Sequence, residues 1–338
     1  MPGPYSFLSQ WKTARNLVLT DKSQLAWNTA VAQASMTQRQ RFDGNAILEQ
    51  AITRRSDIDY AGKGTAFATN GQITSNDTKF SGFKAELSPW LAGYMFAFLL
   101  GKDTVTGTTP IYTHAMSFDE TTREAVATSV YIEDTEAVKY TCPDMCMDEV
   151  TLTINDIGAI MAEMTMVGTG RQTLGAITTL PALASEEYLL GSDAVLTFGP
   201  TGSPTSFVGR HMNTTFKAQN QLMVHKAPGG GLYGLFVRKG NPKFSISTTI
   251  AAKDTDDVYT LFENNTACSF DLAVNSAADA ILDISIPQTQ LKVTKLGFDG
   301  QMVVWQLDAD ETTCYQAAGV APLTVTVTNA QATYLTPA

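Results

Sequence analysis

Short runs of β-prone residues dominate this chain and restrict what it can fold into. Threonine, valine, isoleucine and alanine recur in brief stretches that are separated by glycine, proline and asparagine. Such runs, bounded by turn-forming residues, are typical of antiparallel strands. At the C-terminus, residues 323–334 alternate threonine with valine and predict a final strand. We therefore expect a mainly β protein with few helices.

The clearest helix signal lies between Ser88 and Gly101. Ser88 can cap the helix, Pro89 suits its first turn, and Gly101 is a natural stop. The residues between them are apolar nearly all round. A helix of this kind must be buried, because it has no polar face to show to water. The residues expected in its buried face include Leu91, Met95 and Phe98.

A second, shorter helix is predicted directly after Asp254, Asp256 and Asp257. Acidic side chains stabilise a helix N-terminus, and the pair Asn264-Asn265 marks its end. The apolar residues between them fall on one face. The residues expected in that face are Val258, Leu261 and Phe262.

The order of predicted elements around the first helix repeats around the second. In the first half, predicted strands cover residues 79–87, 111–118, 125–133, 149–154 and 159–167. In the second half they cover residues 243–250, 268–274, 280–286, 291–296 and 301–307. Each helix follows the first strand of its set. The sequence therefore indicates one β-rich module used twice, each copy with one α-helix.

This repeat suggests a division of the chain into five parts. The two modules occupy residues 61–168 and 194–310, and residues 169–193 link them. An N-terminal arm of residues 1–60 is expected to have helical character at 27–41, and residues 311–338 form a C-terminal strand or arm. Residues 186–190 predict a short helix in the linker, and residues 208–225 and 232–237 predict the arms of a hairpin.

The charge of the chain argues against a basic nucleic-acid-binding surface. The formal net charge is -10, although residues 1–60 hold 7 Lys and Arg against 5 Asp and Glu. The main body should therefore repel nucleic acid. Only 17% of residues are charged and 44% are apolar, and this charged fraction is low for a monomer whose whole surface faces water. Much of the surface is expected to lie inside an assembly.

Four cysteines are too few and too scattered for a disulfide framework in a chain of this length. They are Cys142, Cys146, Cys268 and Cys314. We expect reduced thiols and an intracellular site of synthesis, since no secretory signal or long apolar run is found. Cys142 and Cys146 lack the second close ligand pair that a zinc site needs.

No pattern in the sequence points to catalysis. The three histidines fall in predicted strands without metal-binding spacing, and the glycine-rich stretches lack the strand–loop–helix context of a phosphate site. Neighbouring acids such as Asp119-Glu120 are typical of solvated loops rather than of a glycosidase pair. We expect no catalytic residue, no cofactor, no metal and no enzymatic activity.

Two predicted strands carry few of the charges and prolines that normally protect a sheet edge. They lie at residues 150–154 and 212–222, and such edges can pair with another subunit. Head-to-tail pairing with the right rotation closes a ring. The residues predicted to lie in self-assembly strands are Thr151, Thr153, Thr215, Lys217, Gln219 and Thr294.

Several stretches resemble the tail tube proteins of long-tailed bacteriophages. They are residues 80–89, the apolar helix ending Leu99-Leu100-Gly101, residues 111–118, residues 150–168 and residues 214–222. The resemblance implies a structural virion protein built of two tandem β-sandwich modules, each with one flanking α-helix. It also implies rings that stack into a tube, with inner sheets that merge into a barrel. It implies synthesis in the host bacterial cytoplasm, and partners that include tape measure, tail terminator and distal tail proteins. DNA would cross the lumen without specific binding, and no membrane is involved.

Two modules in one chain favour a ring of three chains, with six as the alternative. The acidic excess of the body suggests that acids line the lumen and repel the exiting DNA. One rival is a distal tail or baseplate ring protein of related fold. A rival of another class is a β-sandwich that binds a receptor or a polysaccharide. That rival needs an exposed aromatic platform or a cleft with paired carboxylates.

Overall fold

The computed structural model describes most of the chain. The described residues are 16–36, 38–43, 47–56, 65, 67, 71–133, 139–175, 177–183, 187–300, 302–310, 312–314, 316 and 319–336. Residues 1–15 of the predicted arm lie outside these ranges, as does Glu186, the first residue of the predicted linker helix. Among the described residues, no helix has both the length and the apolar character needed to cross a bilayer.

The protein is mainly β, as the sequence predicts. The first half contains β1 (Asn16–Leu19), β2 (Gln38–Gln40), β3 (Ile47–Ser56), β4 (Gly71–Glu86), α1 (Pro89–Leu100), β5 (Gly101–Thr108), β6 (Ile111–Phe118), β7 (Ala127–Glu133), β8 (Lys139–Asn155), β9 (Met161–Gly168) and β10 (Thr173–Leu174). The second half contains β11 (Ala194–Pro200), β12 (Thr205–Ser206), β13 (His211–Gln219), β14 (Met223–His225), β15 (Phe236–Arg238), β16 (Lys243–Ala251), α2 (Val258–Glu263), β17 (Cys268–Ala277), β18 (Ala280–Thr289), β19 (Val293–Asp299), β20 (Met302–Ala309) and β21 (Thr324–Asn329).

Two large antiparallel sheets share one hydrophobic core. In the larger sheet, eight strands follow one another in the order β3-β4-β9-β8-β13-β16-β20-β19. A branch of β7, β1 and β2 extends from the N-terminal part of β8. The second sheet has the order β12-β11-β17-β18-β21-β6-β5. A single cluster of buried apolar side chains runs through both halves of the chain.

Helix α1 forms where local signals predict it. The Ser88 hydroxyl accepts a hydrogen bond from the Leu91 N–H at 3.2 Å, and Gly101 ends the helix with a φ of 83°. All twelve residues are buried, including Leu91, Met95 and Phe98. The helix packs against β8 and β21, which explains why its sequence is apolar on every side.

Helix α2 also begins after the predicted aspartates, but it is only six residues long. Val258 is buried, whereas Leu261 and Phe262 are half-buried against the edge of the core. The Asp257 side chain makes no capping hydrogen bond. The carboxylate of Asp256 instead accepts from Arg210 and from the Lys253 N–H. This aspartate therefore fixes the loop before the helix.

The described part of the N-terminal arm corrects the expectation of helix. Apart from one 3-10 turn at Gln33–Ser35, its regular elements are β1, β2 and β3. Leu17, Val18 and Leu19 are buried where β1 pairs with β7. Within the predicted helical stretch, Val31 and Met36 are buried and β2 pairs with β1. These tertiary contacts outweigh the weak helical preference of a Gln- and Ala-rich sequence.

Four further features of the structure differ from the sequence analysis. The strand β5 was not predicted, because its exposed Thr- and Gly-rich sequence carries little periodicity. Residues 232–237 do not pair with β13, and the local hairpin is only β14 with β15. Residues 187–190 are not helical. In each half a hairpin of the second sheet follows the helix, β5·β6 after α1 and β17·β18 after α2. Residues 111–118, which form β6, therefore correspond to β18 and not to residues 268–274.

Candidate assembly interface

The two halves of the chain are joined edge to edge through β8 and β13. The strands run antiparallel, with Thr153 opposite Thr215 and Thr151 opposite Lys217. Side chains that face each other across a ladder lie on the same side of a sheet. This polar side carries an ion pair of 2.8 Å between the Lys217 Nζ atom and the Glu149 Oε2 atom. We call the β8·β13 contact the internal joint.

The other side of the internal joint belongs to the core. Leu152 lies opposite Phe216, and both are fully buried. The Phe216 ring packs against Phe96 of α1 with 6.1 Å between ring centroids. Apolar burial on this side therefore supplies most of the stability of the joint, since the exposed ion pair contributes little.

Hydrogen bonds fix the end of β13 beside α1. The Asn220 Nδ2 atom donates to the Leu99 carbonyl at 2.5 Å and to the Met147 carbonyl at 3.3 Å. The carboxylate of Asp148 accepts from the Leu222 N–H at 2.8 Å. Burial raises the pKa of Asp148 above its usual value. The register of the joint is thus set by buried polar contacts as well as by the ladder.

The internal joint connects two four-stranded units that have the same strand order. The first unit is β3-β4-β9-β8 and the second is β13-β16-β20-β19. Corresponding hydrogen bonds follow β4 and β16. The Leu87 N–H donates to the Ile160 carbonyl at 2.8 Å, and the Ala252 N–H donates to the Val303 carbonyl at 2.9 Å. The two units therefore share their strand order and an equivalent hydrogen bond.

The eight-stranded series ends in two strands with one partner each. Among the described residues, β3 pairs only with β4, and β19 pairs only with β20. In each unit the first strand in chain order, which we call the entry strand, lies at one edge. The third strand in chain order, which we call the exit strand, lies at the other edge. In the internal joint an exit strand, β8, meets an entry strand, β13. The chain as a whole leaves the entry strand β3 and the exit strand β19 at opposite ends of the series.

The C-terminal strand joins the halves in the second sheet. β21 pairs with β18 on one side and with β6 on the other. The segment that follows is anchored to α1, because the buried Tyr334 hydroxyl donates to the Trp90 carbonyl at 3.0 Å. The His114 ring bridges the Asp103 carboxylate and the Gln331 carbonyl, at 2.8 and 2.7 Å. The C-terminal segment therefore fastens the two halves together.

The solvent side of the eight-stranded series is rich in hydroxyl groups. Thr151, Thr153 and Thr215 lie there beside the serines and threonines of β16. Charges of both signs are interspersed, and some are paired, as in the 3.0 Å ion pair between Lys84 and Glu163. Among the described residues, no group of acids, histidines and cysteines is placed to hold a metal ion.

Five of the six predicted assembly residues meet at the internal joint. Thr151 and Thr153 lie on β8, and Thr215, Lys217 and Gln219 lie on β13. The sequence suggested that these strands were free edges, whereas the structure pairs them with each other. Thr294 lies apart from them on β19, opposite Leu307.

Sequence reasoning missed the surface residues of the two terminal strands. Leu296 and Phe298 on β19 are 59% and 81% exposed. Their sequence alternates in the same way as that of β8, so no local signal distinguishes a covered strand from an uncovered one. The entry strand β3 was assigned to the arm.

A comparison with protein-family models agrees with this architecture. The model described as phage tail tube protein matches residues 34–329. The chain belongs to the phage tail tube protein family. A search of curated proteins finds no match. The match covers both four-stranded units from β3 to β19, both helices and the C-terminal strand β21.

Membership of the phage tail tube family gives the chain a structural role. It is a subunit of a phage tail tube and is located in the tail of the virion. It associates with copies of itself and with other tail components. The β3 and β19 edges are candidate surfaces for that self-association, because unpaired backbone groups at a sheet edge can pair with another strand.

Proposed function

We propose that three copies of this chain close into a ring, that rings stack into the tail tube, and that the lumen conducts DNA during ejection. The observation that carries the proposal is the internal joint, in which one four-stranded unit pairs with the next. If the exit strand β19 of one chain pairs with the entry strand β3 of another, every unit has the same kind of neighbour. Repetition of one heterologous contact closes a ring when its rotation permits.

The size of the resulting barrel favours three chains. Each chain contributes eight strands, so three chains give six units in one continuous sheet. With usual strand spacing and tilt, such a barrel measures roughly 50 Å between opposite backbones. After allowance for side chains, that width admits one DNA duplex. Six chains would roughly double it, and the DNA would lose the guidance of the wall.

The proposal assigns the hydroxyl-rich side of the series to the lumen. This side is not the acidic wall that the sequence suggested, since it carries Lys84, Lys217 and other cations as well as acids. Lys84 and Lys217 are ion-paired with Glu163 and Glu149. Cations held by neighbouring carboxylates offer fewer contacts to DNA phosphates. A neutralised, hydroxylated wall would thus let DNA slide without binding.

Two alternatives remain outcomes of the test. A distal tail or baseplate ring protein would form a single ring and stop. A receptor-binding or polysaccharide-binding component would stay monomeric or form a spike. Tape measure, tail terminator and distal tail proteins are the partners that the proposal implies for a complete tube.

The experiment is electron microscopy of the purified protein combined with native mass spectrometry. We expect tubes, and a ring species with three times the 36.4 kDa mass of one chain. Single rings that never stack would contradict the tube and support the distal-tail alternative. Monomers that remain monomeric at high concentration would contradict the proposal as a whole.

A further inference from the structure

The tip of the β19–β20 hairpin exposes apolar side chains that have no cover within the described chain. Leu296, Phe298 and Val303 are 59%, 81% and 38% exposed. They lie on the core side of the sheet, because Leu296 faces Trp305 and Phe298 faces Val303 across the ladder. A water-exposed cluster of this kind on the core side of a sheet marks an interaction surface.

The same positions in the first unit are fully buried. Val303 corresponds to Ile160. The Ile160 carbonyl accepts from Leu87, the residue after β4, and the Val303 carbonyl accepts from Ala252, the residue after β16. One step along the ladders, Trp305 corresponds to Ala162. The residue opposite Ala162 is Leu152, and the residue opposite Trp305 is Leu296.

Leu296 is therefore the counterpart of Leu152, and Phe298 is the counterpart of Ile154. Leu152 and Ile154 have no exposed surface, and they lie in the internal joint opposite Phe216 and Thr214. The counterparts on β19 lack such a joint. The greater exposure of Leu296 and Phe298 therefore indicates that β19 lacks a neighbouring strand of the kind that β13 provides for β8.

The entry strand β3 can be placed in the same register as β13. Phe216 of β13 lies opposite Ile246, and Leu48 of β3 lies opposite Phe80. Ile246 faces Ala309, which lies four residues after Trp305, and Phe80 faces Met166, which lies four residues after Ala162. Because Trp305 and Ala162 correspond, Ile246 and Phe80 correspond as well. Leu48 is therefore the counterpart of Phe216. It is half-buried at the edge of the core.

We infer that β19 of one chain pairs antiparallel with β3 of a second copy, in the register that sets Leu296 opposite Leu48 and Lys295 opposite Glu49. The inference rests on the proposed ring and specifies its contact. Leu296 and Leu48 meet on the core side, and the opposite charges of Lys295 and Glu49 meet on the lumen side. Both charged residues lie on single-partner strands of the described chain, and opposite charges across a ladder stabilise pairing.

Alternative registers lose this match. A slip of one residue turns the side chains of β19 to the wrong side of the sheet. A slip of two residues keeps the sides but sets Lys295 opposite Ala51. Glu49, which faces Lys79 across the ladder within its own chain, then gains no second cation from β19. The register with Lys295 opposite Glu49 therefore satisfies both sides of the sheet.

Cysteine cross-linking distinguishes the registers. The test variant carries Lys295→Cys and Glu49→Cys, and the matched control carries Lys295→Cys and Ala51→Cys, both in a Cys314→Ser background. Side chains directly opposite lie about 4.5–5.5 Å apart at Cβ, so a small shift brings them within the range of a disulfide, whereas the next position lies about 7–8 Å away. Assembled protein is oxidised and separated on a non-reducing denaturing gel.

We expect covalent dimers and trimers from the test pair, at least fivefold more than from the control pair. Equal linking, or stronger linking in the control, would overturn the register. If electron microscopy shows rings or tubes but the test pair does not cross-link, the register is overturned and the proposed ring still stands. A protein that stays monomeric would overturn the ring and the register together.

A charge exchange keeps the inference testable if the cysteine variants fail to fold. Lys295→Glu and Glu49→Lys should each reduce the assembled fraction in a sedimentation assay, because each sets like charges opposite one another. The double variant should assemble better than either single variant, although Glu49→Lys still sets like charges opposite each other at Lys79 within the chain. Single variants that assemble normally, or a double variant without recovery, would contradict the pairing of these two residues.

Discussion

Replacing Phe216 by alanine should strongly destabilise the single chain. The side chain is fully buried in the internal joint and packs against Leu152 and against the Phe96 ring of α1. Loss of a buried phenylalanine side chain costs about 3–5 kcal/mol, and the loss of the aromatic pair favours the upper part of that range. This is a large share of the about 5–15 kcal/mol that stabilises a typical domain.

The assay is equilibrium unfolding in urea at a concentration where size-exclusion chromatography shows monomers. With a slope of about 3 kcal/mol per molar, the midpoint should fall by at least about 1 M. Phe216→Leu is the conservative control and should cost less than about 1.5 kcal/mol. Phe298→Ala is the matched control, since the same truncation at an exposed position should change monomer stability by no more than about 0.5 kcal/mol.

Phe298→Ala should nevertheless weaken assembly, because the proposed assembly buries the Phe298 side chain against a second copy. The reasoning fails if Phe216→Ala costs less than about 1 kcal/mol, or if Phe298→Ala destabilises the monomer as much as Phe216→Ala does. Either result would mean that the burial difference between the two strands does not describe the free chain.

Three further predictions concern other parts of the molecule. At pH 8, iodoacetamide should modify Cys314 well before Cys268, because burial raises the pKa of the Cys268 thiol to about 11 and leaves little thiolate; mass spectrometry of the native protein would show the order, and equal rates would contradict it. Gly93→Ala should destabilise the chain by about 1–3 kcal/mol, since a Cβ atom there overlaps the Tyr334 ring, and a thermal melt that matches the unmodified protein would contradict the C-terminal anchor. In a phage that carries Glu163→Lys, tubes should still assemble but DNA release should slow, whereas Glu163→Gln should have a smaller effect; a release rate unchanged by the lysine would contradict the assigned lumen face.

Local signals were sufficient to predict α1. Ser88, Pro89 and Gly101 specify its ends by short-range chemistry, and its uniform apolar sequence indicates burial. The strand content and the final strand were also predictable, since they depend on alternation within a few residues. The arm was not, because the burial of Leu17–Leu19 against β7 depends on residues more than a hundred positions away.

The candidate interface shows the same limit. The sequence singled out Thr151 and Lys217 as members of pairing strands, but it could not show that they face each other within one chain. Pairing partners in a sheet are non-local, and strands with the same alternation look alike whether covered or not. Leu296 became distinct from Leu152 only when the exposure of the two could be compared.

The most direct test of the account is a rotational average of end-on tubes or rings from electron microscopy, at a resolution that separates the two halves of the chain. The account predicts true threefold symmetry, with six similar units alternating around one continuous barrel. Sixfold symmetry with twelve units, or a barrel interrupted between chains at β3 and β19, would contradict it.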